Sequence, residues 1–281
     1  MSDPQKTTEM KWDGTRLTVE KHGNKVELVN RHGVIYTVRL PGIRRALMQM
    51  KEDFVLDGEV VYVNPETGRE EFTGSQKRCS THYPDFWLLK QYPLVYKIFD
   101  MMMLKGKRLE NVDYFTRKAK LEDLLDGAPE PLEYVPYRED NVQFFEETKK
   151  AEAEGLIAKD IKSGYRYERS WSWLKIKNWR RIVLDVVGFT EGKNARTHFF
   201  GSLVLAENGK YRGKAGSGFN DWELRQVKDL ISDAPRVPKP FDIGEPYTAI
   251  EINLRVKVKY YKMTSENRVM REPVFVEIVD S

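Results

Sequence analysis

The sequence predicts an α+β protein in two parts, a larger N-terminal part mixing strands with helices and a C-terminal part that reads as a small five-stranded barrel of the OB type. Three observations predict it. Alternating and helix-spaced apolar patterns interleave as far as "NWRR"; beyond it the texture changes to short strands with Gly-rich turns and one helix; and 281 residues exceed the usual single-domain length. The boundary is placed near Asn178 to Ile182, giving domains 1–180 and 181–281.

The first element with two readings is "EMKWDGTRL", residues 9–17. Asp13-Gly14 is a turn signal because both residue types tolerate positive φ, and flanking alternation suits a hairpin with Lys11 on a solvated strand. Next, "RLTVEKHGNKVELVNRHG" predicts two strands about a His-Gly-Asn turn, and "FVLDGEVVYVN" a strand interrupted at Asp57-Gly58. "LPGIRRALMQM" predicts a helix with Pro and Gly near its start, and "YPLVYKIFDMMML" a buried strand. Both "TRKAKLEDLL" and "QFFEETKKAEAEG" predict surface helices, the latter closed by Gly155. In the second part, "IVLDVVGFTEG", "GSLVLAENGKYRGKAGSG", "YTAIEINLRVKVKYYK" and "PVFVEIVD" predict strands, and "DWELRQVKDLI" the single helix. The Pro-rich "SDAPRVPKPFDIGEP" is expected to be a loop within that domain.

Composition narrows the class. Hydrophobic residues at 40% and charged residues at 32% describe a folded, soluble chain rather than a disordered one. No apolar run is long enough to span a bilayer, so no membrane partner is expected. "MSDPQKTTEM" lacks the basic-then-apolar pattern of a secretory signal, which makes the cytoplasm the expected location. The single cysteine, Cys79, excludes an intrachain disulfide and a Cys-rich zinc site; it is expected to be a small buried side chain, with His82 too little to complete a metal site.

Charge is informative in its distribution. The net +4 divides into 32 basic against 29 acidic residues up to residue 182 and 15 against 14 beyond, so neither part is a basic lobe. From Lys159 to Arg181, however, eight basic residues face only Asp160 and Glu168, and aromatics interleave. Such a block attracts phosphate, the competing reading being a solvated charged face.

Six short motifs stand in order: "EMKWDGTR" (9–16), "NRHG" (30–33), "LDGE" (56–59), "YKIFD" (96–100), "EGLIAKD" (154–160) and "WLKIK" (173–177). Together they resemble the covalent nucleotidyltransferase family, specifically ATP-dependent DNA ligases, and the tail "KVKYYKMTSENRVMREPVFVEI" resembles the end of the ligase module of bacterial and archaeal end-joining ligases. The implied fold is a nucleotidyltransferase (adenylation) domain of antiparallel sheets with helices, followed by an OB-fold β-barrel. The implied reaction begins with a lysine amine attacking the α-phosphorus of ATP. Free lysine has a pKa of about 10.4, so neighbouring cations or metal must favour the neutral amine.

The resemblance assigns Lys11 as that nucleophile, forming a covalent lysyl-AMP. It assigns Glu59 and Glu154 to Mg²⁺ (or Mn²⁺), as hard oxygen ligands for a hydrated ion. Lys175 and Lys177, two apart on one strand face, are implied at the triphosphate, with Lys159 adding a phosphate contact and Glu59 also near the nucleotide. Arg16 and Arg31 fall at ribose and phosphates, Phe99 stacks on adenine, and Glu9 sits at the adenine edge, favouring ATP over GTP. Arg268 and Arg271 resemble the basic element of the barrel domain that orients pyrophosphate, which implies a domain that closes over ATP and reopens for DNA. Asp13 and Asp57 match family positions but belong to Asp-Gly turns with a structural alternative.

The partner implied is nicked or broken duplex DNA, gripped by the two core domains in a salt-dependent way, with the chain acting as a monomer. Ten residues precede Lys11, fewer than related ligases usually carry, and this bears on ATP affinity. An RNA ligase or a GTP-using capping enzyme shares the lysine chemistry. A catalytically silent nucleic-acid-binding module is the alternative from another class, but it would not require Lys11, Glu59, Glu154, Lys175 and Lys177 together. An NAD-dependent ligase would need the zinc site that one cysteine cannot build.

Overall fold

In the computed structural model, residues 5–264 and 268–279 are described, and the chain divides into two compact units, Met1–Asn178 and Trp179–Ser281. The first unit runs β1 (Lys6–Met10), β2 (Thr15–His22), β3 (Lys25–Asn30), α1 (Pro41–Gln49), β4 (Phe54–Tyr62), α2 (Phe72–Ser80), α3 (Phe86–Gln91), β5 (Leu94–Leu104) and β6 (Lys107–Arg108). It continues with α4 (Tyr114–Leu125), β7 (Leu132–Tyr134), β8 (Tyr137–Arg138), α5 (Asn141–Lys150), β9 (Gly155–Asp160) and β10 (Trp173–Lys177).

Two sheets result. One has the order β10-β9-β1-β8; the other is β3-β2-β4-β5-β6, with β7 beside β5 as the parallel pair. Alternation in β2 buries Leu17, Val19 and Lys21 on one face, and these leucine and valine side chains join Leu28, Leu47, Phe54, Leu56, Tyr96 and Ile98 in one core. Cys79, on α2, is buried in that core, as its residue type suggests.

Three local expectations need correction. Asp13-Gly14 is not a hairpin turn, because β1 and β2 belong to different sheets and the segment between them carries the chain from one to the other. The predicted helix ending at Gly155 stops at Lys150 instead: Glu152 takes the left-handed conformation at φ 58°, and Gly155 opens β9. Finally, α4, expected from Thr116, begins at Tyr114, and as a surface helix it buries one face that includes the cations Arg117 and Lys118.

The second unit contains β11 (Arg180–Glu191), β12 (Phe200–Glu207), β13 (Lys210–Ala215), α6 (Asp221–Ser232), β14 (Thr248–Ala249), β15 (Arg255–Tyr260) and β16 (Val274–Val279). The stretch from Tyr247 to Lys262 carries two strands, β14 and β15, both paired with β11. Its sheet runs β13-β12-β11-β15-β16, and the Phe275 N–H donating to the Ser217 carbonyl at 2.8 Å links the two outer edges, curling the sheet into a barrel. α6 begins with a capping box between Asn220 and Glu223 and sends Leu224, Val227 and Ile231 into the second core.

Candidate active site

Lys11 sits on the link between the two sheets of the first unit. Its N–H donates to the Gly155 carbonyl at 3.0 Å, and its Nζ lies 2.5 Å from Glu154 Oε2, with the two side chains 15% and 5% exposed. The link is tightly seated: a Cβ on Gly14 would lie 2.1 Å from the Val60 carbonyl oxygen, and the Gly14 N–H donates to Glu59 Oε1 at 3.1 Å. "KWDG" therefore holds a lysine between two carboxylates rather than turning a hairpin. Burial raises the Glu154 pKa against the opposing pull of Lys11, and burial pushes Glu59 up to about 8, again against Lys11.

Beside Lys11 opens a pocket. Glu9, Arg16, Glu59, Phe99, Lys159 and Lys175 all line it, which brings six of the expected nucleotide-binding residues around Lys11. Trp173, also lining it, meets Phe99 edge to face with ring centroids 6.0 Å apart. Phe99 is the extra residue of a β-bulge: Ile98 pairs with Gly58 and Asp100 with Asp57, so Phe99 has no partner on β4. The bulge re-aims its ring, a usual consequence of such irregularities beside sites.

The freed Phe99 carbonyl explains two buried lysines that sequence patterning alone does not. Lys118 Nζ donates to it at 3.2 Å and Lys159 Nζ at 3.4 Å. Both ammoniums also pair with the Glu9 carboxylate at 2.7 Å, and the Tyr114 hydroxyl donates to Glu9 at 2.6 Å. Burial lowers Lys118 to about 8 in spite of Glu9. Lys159, which lines the pocket, is 1% exposed; its ammonium pairs with Glu9 and lies 4.0 Å from the Trp173 ring centre and 4.8 Å from that of Phe99. Glu9, likewise, has its carboxylate fully engaged and lines the pocket from within a buried network.

Arg16 stands half-exposed at the mouth, held by Asp57 at 3.0 Å and 2.5 Å, with its guanidinium 5.5 Å from the Phe99 ring centre. Burial opposes its charge, and the Asp57 bond and charge outweigh burial, so its pKa rises. The Tyr165 hydroxyl donates to the same Asp57 oxygen at 2.8 Å, which gives Asp57 the structural role left open by its Asp-Gly context. Asp13 is 8% exposed and its N–H donates to Glu70 at 3.0 Å.

On β10, Lys175 faces Ile157 and Lys177 faces Gly155 across the ladder. Lys175 is exposed, and burial together with the charges of Lys11 and Arg16 lowers its pKa. Lys177 is half-buried and near enough to Glu154 to favour its carboxylate. Arg31 lies outside the pocket lining, exposed, with Nε on His32, although its charge still repels Lys175. Arg268 and Arg271 belong to the second unit, between β15 and β16; Arg268 is exposed at φ 50°, and the Arg271 N–H donates to the Lys262 carbonyl at 3.0 Å.

Tyr114, Lys118, Tyr165 and Trp12 were not singled out as site residues from sequence. A signal for Lys118 existed: on α4 it falls on the same stripe as Tyr114, Leu121 and Leu125, so a cation occupies a core-facing position. No comparable signal marks the bulge that needs it.

Among the described residues no group of three or more His, Cys, Asp or Glu forms a ready-made metal cage. The donor set nevertheless suits Mg²⁺, which binds through one or two carboxylates and completes its shell with water and substrate phosphates. Glu59 is a carboxylate whose charge burial disfavours and whose environment a cation would restore.

Residues 1–177 match the family model described as the ATP dependent DNA ligase domain. The chain belongs to that family. Among curated proteins, this ligase-family chain is 32% identical over 284 residues to the multifunctional non-homologous end joining protein LigD of Pseudomonas aeruginosa, covering 95% of this chain and 32% of that protein. It is 29% identical to the LigD of Mycolicibacterium smegmatis, over 94% of this chain and 35% of that one. The chain thus spans about a third of the length of these curated relatives. The crystal structure of the ligase domain of M. tuberculosis LigD is 27% identical, with a TM-score of 0.58 over 99% of this chain and 90% of that one. A Lig E DNA ligase, 17% identical, superposes with a TM-score of 0.70 over 99% and 94% of the two chains, which bears on the fold alone. The expected α+β class, with a nucleotidyltransferase unit followed by an OB-fold, is the observed one.

Proposed function

We propose that the chain is an ATP-dependent DNA ligase that seals 5′-phosphate/3′-hydroxyl breaks in duplex DNA, acting in repair or end joining. What carries the proposal is the Lys11 Nζ held 2.5 Å from Glu154 at the edge of a pocket lined by Phe99, Trp173, Arg16 and Lys175, in a chain of the ATP-dependent ligase family. ATP enters with adenine against the Phe99–Trp173 wall and its phosphates toward Arg16, Lys175 and Lys177. Lys11 Nζ, having lost its proton to solvent, forms a bond to the α-phosphorus as the bond to pyrophosphate breaks. The AMP then passes from Lys11 to the DNA 5′-phosphate, and the 3′-hydroxyl displaces it.

Glu59 and Glu154 are the residues to hold Mg²⁺ or Mn²⁺, which would supply charge neutralisation at the phosphates. Lys159 and Lys118 act through Glu9 and the Phe99 backbone, fixing the base end of the pocket. Arg268 and Arg271 are assigned to pyrophosphate and Arg31 to DNA or nucleotide phosphate, with domains 1–180 and 181–281 dividing the work. The chain works as a monomer in the cytoplasm; among the described residues no helix is long and apolar enough to cross a membrane.

The test is incubation with Mg²⁺ and ATP labelled at the α-phosphate, then denaturation. The parent protein should carry the label, competed by ATP and not by GTP or NAD, and should seal a nicked duplex. Lys11→Ala should do neither. Label on Lys11→Ala, or none on parent protein first stripped of AMP with pyrophosphate, would sink the proposal.

A further inference from the structure

The loop joining β9 to β10 has a fixed stem and an exposed tip. The Ile161 N–H donates to the Gln5 carbonyl at 3.0 Å, the Tyr165 N–H to the Glu110 carbonyl at 2.7 Å, and the Asp160 N–H to the Ser172 carbonyl at 2.9 Å. Tyr165 is buried against Trp173 and shares Asp57 with Arg16, so the stem is tied to the mouth of the nucleotide pocket. Beyond it Arg166, Tyr167, Glu168 and Arg169 are exposed; Tyr167 is 75% and Trp171 88% exposed. An indole this open contributes little to folding. With Lys162, Arg166 and Arg169 against Glu168 over residues 161–172, the loop is net positive, so Trp171 stands among cations rather than within an apolar patch, while the Tyr167 hydroxyl donates to Glu110 at 3.1 Å.

Aromatic faces set among cations suit nucleic acid, whose bases stack and whose phosphates carry the complementary charge. We propose that this tip contacts single-stranded overhangs at broken DNA ends, Trp171 stacking on an unpaired base and Arg166 and Arg169 meeting its phosphates. The proposal rests on the DNA-joining reading above and names the form of DNA served. A nick inside a continuous duplex leaves every base stacked between neighbours, whereas an overhang presents a free base face. The tip should therefore matter for overhangs and be nearly silent at nicks.

Fluorescence anisotropy on a labelled hairpin duplex with a short overhang, against its blunt counterpart, tests this directly, independently of any ligation. Trp171→Ala should weaken overhang binding by about tenfold and blunt binding by less than about twofold. Trp171→Phe, which keeps a stacking face, should recover most of the difference. The double variant Arg166→Ala/Arg169→Ala should lower the salt slope of overhang binding by about two. Parallel labelling with ATP and sealing of a nicked duplex should match the parent in each variant. Equal overhang binding by Trp171→Ala and the parent overturns the proposal, as does equal loss in Trp171→Ala and Trp171→Phe, which would mark a fold defect or a protein-facing surface. A parent that binds the overhang through Trp171 but takes no label would instead refute the ligase reading and leave the loop's role standing.

Discussion

Glu59 and Lys118 are ionisable groups that folding disturbs in opposite senses. Glu59 rises from 4.5 to about 8 because burial penalises its charge. Between those values the folded chain keeps a proton that the unfolded chain releases, so stability falls as pH rises across that window and levels off above about 8. Lys118, lowered from 10.5 to about 8 by burial, acts in the other direction: above about 8 the unfolded chain binds the extra proton, and stability rises with pH. Thermal melts from pH 5 to 8.5 in a chelator should show the Glu59 slope, and Glu59→Gln should reduce it. Added Mg²⁺ should reduce it as well, because a bound cation favours the carboxylate. Unchanged slopes in Glu59→Gln would mean that this carboxylate titrates normally and is not held for a cation. The motifs of the sequence bring Lys11, Arg16, Glu59 and Lys159 to one pocket. The partners of the Lys159 ammonium, Glu9 and a carbonyl released by a bulge in β5, were not legible, because the bulge depends on pairing with β4.

At the scale of elements, β9 and β10 show why one glycine matters more than its place in a motif suggests. Gly155 has φ 143°, and a Cβ there would lie 2.0 Å from the Ile176 carbonyl oxygen on the facing strand. The same residue's carbonyl receives the Lys11 N–H. Gly155→Ala should therefore push β10 away, lower stability by about 2–3 kcal/mol and displace both Lys11 and Glu154. Urea melts and the rate of label uptake check this; a variant melting like the parent and labelling at the same rate would mean the strand gives way freely. Periodicity read β2 and β3 well, since they repeat every second residue, and β5 was legible as a mostly apolar run; neither pattern needs knowledge of neighbours. It failed where tertiary contacts decide. "WDG" crosses between sheets, the helix before Gly155 ends four residues early in a left-handed turn at Glu152, and α4 buries Lys118 over Glu9 and the Phe99 carbonyl and Arg117 over Asp100. Between β4 and β5, helix α2 carried too polar a pattern and α3 too short a one to stand out.

Across the whole chain, two cores imply two stabilities. Leu28 and Leu47 lie with Phe54 and Tyr96 in the first unit's core, whereas Leu205, Val256 and Phe275 lie in the second's. Truncating a fully buried leucine costs about 2–5 kcal/mol, and the loss is confined to the cooperative unit whose packing it interrupts. The two units meet in sequence at Asn178–Trp179. Calorimetry should therefore resolve two transitions, with Leu28→Ala lowering one and Leu205→Ala the other. Label uptake divides the pair further. Lys11, Glu59, Glu154, Phe99 and Lys175 all belong to the first unit, so heating through the transition that Leu28→Ala lowers should abolish AMP binding to the pocket. A single transition shifted equally by both substitutions would show instead that the units fold as one, and that the nucleotide pocket owes its stability to both cores.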